Sequence, residues 1–200
     1  MQKVNCCSKF LLLLTQRDYP MIAPVREWPG SPFERADRFV VLQLEEFALI
    51  VTQAEVVALE PVLDVQVNTG LTKETTPASL ENASGYLSLA SGDCPVFALN
   101  TELQCLAYVP EPHRICAVMR NRQQTYALSC VAVELLSRSD IAFHSTPRSM
   151  LNTRSPIVQL MVHAGKLLLG TTAAAMYSHL VVHNEGDVIS FEQRLKRMKS

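Results

Sequence analysis

Four times along the chain two short apolar runs are parted by a polar tip. "RFVVLQLEEFALIV" (38–51) turns at Glu45 and Glu46, and "GYLSLASGDCPVFAL" (85–99) turns around Ser91, Gly92 and Asp93. "RICAVMRNRQQTYALSC" (114–130) turns on a basic, polar tip, and "IVQLMVHAG" with "KLLLGTT" (157–172) turns at Gly165. Short runs rich in β-branched and aromatic residues between turn signals predict β-hairpins, so the chain is expected to be mainly β. In the second hairpin Leu87 and Leu89 face one side and Tyr86, Ser88 and Ala90 the other; beyond the turn Val96 and Ala98 alternate with Phe97 and Leu99. Pro95 has no N–H, which places the start of its strand there, or puts it at an edge or bulge.

Between the hairpins the pattern is less regular. "TQAEVVAL" offers Thr52 as N-cap and Glu55 three residues on, a capping box that predicts a short helical turn stopped by Pro61. "VLDVQV" (62–67) alternates like a half-buried strand. Residues 68–84 lose apolar period and predict a long polar loop. A short helix is expected over 101–107, before Pro110 and Pro112. After the polar linker 143–156 and the fourth hairpin, "AAAMYSHLVV" predicts a helix that Thr171 or Thr172 can cap. The end, "SFEQRLKRMKS" (190–200), is basic and amphipathic, with Phe191, Leu195 and Met198 on one helical face; it reads as a solvated tail or as a partner or membrane-surface contact. "YAL" at 126–128 echoes "FAL" at 47–49, and an apolar pair follows each aromatic by nine residues (Val56-Val57, Leu135-Leu136), which points to two similar β lobes.

At 200 residues, 48% hydrophobic and 18% charged, the chain can bury enough apolar surface to order most of its length. A net charge of −1 removes the simplest case for nucleic acid, which needs clustered positive charge. The halves differ, 1–100 being acidic and 101–200 basic. Pro20, Pro24, Pro29 and Pro32 make the approach to the first hairpin an extended arm, with Trp28 expected to pin it to the body. "KFLLLLTQ" is too short for a membrane span or an export signal. Residues 1–20 share no periodicity with the rest, so natural translation is expected to start at Met21. The cysteines, Cys6, Cys7, Cys94, Cys105, Cys116 and Cys130, form no C-x-x-C and no zinc spacing, and reduced thiols in a cytoplasm fit best.

Catalytic signatures are thin. The chain has no G-x-S-x-G, and Gly165-Lys166 lacks the glycine and hydroxyl of a P-loop. His179 and His183 stand one helical turn apart without H-E-x-x-H, and Glu45-Glu46 reads as a solvated pair at a hairpin tip. No metal, cofactor or small-molecule substrate is expected. What is left is a β-rich interaction module.

"ASGYLSLASGDCPVFAL" resembles the central motif of CheW-like domains: Gly, three residues, Leu, Arg-Gly, three residues, then Pro-Val-x-Asp-Leu. Gly85, Leu89, Pro95, Val96 and Leu99 fall in register. "FVVLQLEEFALIVTQAEVV" resembles that family's first hairpin and turn, and the stretch from 114 the start of its second lobe. The resemblance covers about 38–182. It implies two five-stranded SH3-like barrels on a shared core, with lobes at about 38–112 and 113–182, an arm over 1–37 and a tail over 183–200. It implies a non-catalytic adapter that couples a chemoreceptor tip to the regulatory domain of a CheA-type histidine kinase, in chemotaxis or a type IV pilus pathway. Partner binding would fall on or beside Gly85, Leu87, Leu89, Ala90, Pro95, Val96 and Ala98. Ala90 and Ala98 stand where the family pattern has Arg and Asp, and alanine cannot rebuild a charge-assisted pair. The alternatives are a self-assembling scaffold, in which the acidic half of one copy meets the basic half of the next, and a small thiol or hydrolytic enzyme using Cys94 or Cys130 with a histidine.

Overall fold

The computed structural model describes residues 32–66, 82–122, 124–147 and 155–186. The four expected hairpins are present: β1 (Arg38–Gln43) with β2 (Ala48–Thr52), β4 (Gly85–Leu89) with β5 (Gly92–Leu99), β7 (Ile115–Asn121) with β8 (Gln124–Cys130), and β11 (Ile157–His163) with β12 (Lys166–Thr171). Between them lie β3 (Val56–Pro61), β6 (Cys105–Leu106), β9 (Ala132–Ser137) and β10 (Ala142–His144), and a helix α1 (Ala173–Gly186) follows. The second hairpin turns one residue earlier than its glycine indicates. Leu89 pairs with Gly92, whose φ of 114° suits glycine alone, and Ala90-Ser91 form the tip.

The strands form two sheets, ordered β10-β11-β12-β2-β1-β9 and β3-β7-β8-β5-β4, with β6 added beside β5. Sheet membership cuts across the 112/113 lobe boundary. The first sheet joins the β1–β2 hairpin to β9 through β12; the second joins the β7–β8 hairpin to β3, β4 and β5. The two halves have the same wiring. β2 runs parallel to β12 as β8 runs parallel to β5, and β9 flanks β1 as β3 flanks β7. Each half therefore gives its first hairpin to one sheet and its later strands to the other, so the lobes interlock. A 3-10 turn (Val62–Asp64) carries β3 towards Gln66, which bridges Tyr86 at the far edge of its sheet; a second (Arg138–Asp140) carries β9 to β10 at the far edge of the other. Neither sheet closes into a hydrogen-bonded ring among the described residues.

The period-2 pattern explains the core, because alternate residues of the central strands enter different clusters. Val40 and Leu42 of β1, Leu49 and Val51 of β2, Phe97 and Leu99 of β5, Ala117 and Met119 of β7, and Tyr126 and Leu128 of β8 share one seam with Met176 and Leu180 of α1. Their neighbours face away from it. Phe39, Val41, Ala48 and Ile50 line a second cluster with Phe33, while Cys94, Val96, Cys116, Val118 and Ala127 line a third with Leu87. Each sheet thus owns a small core and shares the large one.

Six stretches differ from the sequence reading. The Thr52/Glu55 capping box is present, yet the turn spans only Gln53–Glu55, because Val56 to Pro61 pair with β7 instead of coiling. Residues 62–64 form a 3-10 turn rather than a strand, leaving a single bridge at Gln66. No helix forms over 101–107. Asn100 Oδ1 accepts hydrogen bonds from the backbone N–H of Glu102 and of Gln104, both at 2.9 Å, and this local alternative displaces the helix and lets Cys105 and Leu106 pair with β5. Phe143 and His144, expected in a linker, belong to β10. The arm ends in a 3-10 turn (Pro32–Glu34) that buries Phe33, so its last residues are anchored rather than extended. Thr172 caps α1 through a 3.0 Å bond from the Ala175 N–H, and α1 runs on into the segment expected as tail. Trp28, Met21, most of the polar loop and the basic end lie outside the described residues.

Candidate functional site

The residues singled out at 85–99 lie close together but at different depths. Gly85, Leu87, Pro95, Val96 and Ala98 are buried, Leu89 is half-buried and Ala90 is exposed at the tip. Gly85 has to be glycine, because a Cβ there would meet Val65 Cγ1 at 2.5 Å and the Gln66 carbonyl oxygen at 2.8 Å. Pro95 sits one residue before β5 begins its ladder with β8, inside the strand rather than at its start. Ala98 is held through its backbone. Its N–H donates to Ser84 Oγ at 2.9 Å, and the same hydroxyl donates to the Leu106 carbonyl at 2.7 Å. Most of the motif is therefore a spine, and Leu89, Ala90 and the neighbouring surface are what a partner can touch.

Sequence reasoning missed an exposed apolar surface on and just beyond β3. Val57 is 42% exposed, Leu59 49%, and Leu63 just beyond the strand 95%. β3 ends its sheet and pairs only with β7 among the described residues. Val56 packs against the central seam and Ala58 against the third cluster, with a register shift between them, so Val57 lies at an irregularity of the strand and Leu59 follows two residues on, both exposed. An exposed apolar edge strand is a template for a partner unless blunted, and here the irregularity at Val57 and Pro61 at the end interrupt it only in part. The signal was in the sequence as "EVVALE", but it was absorbed into a helical turn. Leu135, 60% exposed, occupies the corresponding edge strand β9 of the other sheet.

Groups capable of chemistry are locked in structural contacts. His113 Nδ1 lies 2.8 Å from Ser129 Oγ, but both residues are almost fully buried. Burial lowers the pKa of His113, with Glu45 pulling partly the other way, so the ring is held neutral. Burial pushes the Cys94 thiol up to about 11 and those of Cys116 and Cys130 up to about 12, leaving them protonated at neutral pH. His179 Nε2 contacts the Leu103 carbonyl oxygen at 2.8 Å. The side chain of His183 is outside the described set. Among the described residues, no three His, Cys, Asp or Glu side chains gather as metal ligands, and every buried side-chain N or O atom has a hydrogen-bond partner. No helix of the described residues is long and apolar enough to cross a membrane.

The described residues define a class: a two-sheet β protein built around one shared apolar seam, with apolar side chains on its open edges. No family model and no curated protein matches the chain. Among solved structures it is similar to the scaffolding protein TtCheW from Thermoanaerobacter tengcongensis, at 17% identity and a TM-score of 0.48, over 68% of this chain and 88% of that one. That protein carries the name of the family whose motif residues 85–99 resemble.

Proposed function

We propose that the chain is a divergent CheW-like signalling adapter, which couples a chemoreceptor tip to the regulatory domain of a CheA-type histidine kinase in the cytoplasm, in chemotaxis or a type IV pilus (twitching) pathway. The observation that carries this reading is the exposed Val57–Leu59 edge on an interlocked body in which His113, Cys94, Cys116 and Cys130 are buried. Such a surface can add a partner's strand or bury its apolar side chains. In this reading residues 38–182 are the CheW-like domain, and each six-stranded sheet is an opened SH3-like barrel, one strand richer than the five expected. The 3-10 turns that carry β3 and β9 from one sheet edge toward the other support that geometry. Gly85, Leu87, Pro95, Val96 and Ala98 form the spine of the opposite edge of the sheet that holds β3, where Leu89 and Ala90 offer a second point of contact.

The test is retention of the chain on an immobilised regulatory domain of such a kinase. Val57→Asp with Leu59→Asp is expected to weaken retention by about tenfold or more, since interface energy concentrates in a few desolvated side chains. Absence of retention of the unaltered chain at tens of micromolar would remove the kinase from this reading. The acidic first half and basic second half favour a second reading, a self-assembling scaffold in which one copy's acidic half meets the next copy's basic half. That reading predicts oligomers that dissociate as salt is raised, visible by sedimentation.

A further inference from the structure

We infer that the basic C-terminal segment 190–200 docks back, within the same chain, on an acid-rimmed apolar groove between the β1–β2 tip and the turn that follows β5. This inference stands apart from the adapter reading. Glu45, Glu46 and Phe47 line the groove together with Leu99, Leu106 and Tyr108. It encloses about 170 Å³. That is below the ~300–1,000 Å³ of small-molecule sites and suits one inserted side chain. Its lining holds two carboxylates and no cation, and Tyr108 stands 64% exposed beside them. A partner that fits carries an apolar side chain followed by positive charge.

The chain supplies that partner itself. Within 190–200, Arg194, Lys196, Arg197 and Lys199 stand against Glu192 alone, a net +3 in a chain whose total is −1. Phe191, Leu195 and Met198 offer apolar anchors on one helical face. The two parts are also joined through the fold. The groove wall continues into the Asn100–Gln104 turn, which is fixed by Asn100 Oδ1 and holds Leu103 at a φ of 62°. His179 of α1 meets the Leu103 carbonyl at 2.8 Å. From His179 the helix rises ~10 Å to Gly186 at 1.5 Å per residue. Five further residues reach Phe191, a span of up to ~17 Å. Those five residues leave Phe191 free to reach in any direction over that span, and with Phe191 seated in the groove the cations that follow it would face Glu45 and Glu46.

The experiment uses the full chain with Phe191 replaced by the photo-crosslinker benzoylphenylalanine. Irradiation is expected to yield crosslinks within one chain to peptides containing Phe47 or Tyr108. Glu45→Lys with Glu46→Lys, at two exposed positions, should reduce their yield by about tenfold. Adding Arg194→Glu and Arg197→Glu to that variant should restore the yield, an outcome that loss of fold cannot mimic. Crosslinks elsewhere, crosslinks only between chains, no crosslinks, or a yield indifferent to charge reversal would each overturn the inference.

Discussion

Single residues state the constraints of this fold most sharply. Gly85 lies under Val65 and Gln66 so closely that one methyl group displaces backbone, and Gly85→Ala is expected to lose about 1–3 kcal/mol of stability. A urea midpoint shifted down at unchanged slope would show it; an unchanged midpoint would mean that the Gln66 bridge is absent. His113 sets a pH dependence. Its folded-state pKa lies below the ordinary 6.5 because burial disfavours the cation, so the unfolded chain binds the extra proton first. The stability it contributes is complete above about 6.5 and is lost as pH falls from there through the depressed value. Relative to His113→Gln, the unaltered chain should lose stability between pH 7 and 5, measured by urea unfolding at each pH; parallel profiles would contradict this. The thiols follow the same logic. Cys94, Cys116 and Cys130 should react with a thiol reagent at neutral pH only on unfolding, as peptide mass mapping would reveal, and rapid labelling of folded Cys94 or Cys130 would revive a thiol enzyme.

Among the elements, α1 depends on a residue far away in sequence. Glu55 Oε2 accepts from Thr52 Oγ1 at 2.8 Å and its Oε1 accepts from the Ala173 N–H at 2.8 Å, so one carboxylate caps its own turn and the helix N-terminus together. Tyr126 adds a hydroxyl bond of 2.8 Å to the Ala173 carbonyl. Glu55→Ala is expected to lose about 1–3 kcal/mol and to speed amide exchange in the first turn of α1; unchanged exchange there would place the helix under other control. The hairpins and α1 were legible because their periods are local. The capping box was legible too, but only as a turn: "VVALE" has the residues of a strand, and nothing local says that β7 will be its partner. Likewise "NTELQC" hides a competition that Asn100 wins with its own side chain.

At the scale of the whole molecule, function and fold rest on the same feature. The echo of "FAL" and "YAL" marks β2 and β8, both central strands whose other neighbour is parallel. The echo pointed to two similar halves. It could not show that they exchange strands, because β1 meets β9 and β3 meets β7 across long stretches of sequence, and register over such distances leaves no local pattern. The consequence is a body that neither half can form alone, with its open edges held rigidly outward. Hydrogen exchange of Leu128→Ala, a fully buried seam residue of β8, tests this most directly. The substitution should cost about 2–5 kcal/mol and lower the protection of β1–β2 and of β7–β8 by the same factor. Loss of protection confined to β3 through β8, with β1 and β2 unmoved, would show two independent lobes and contradict the shared seam.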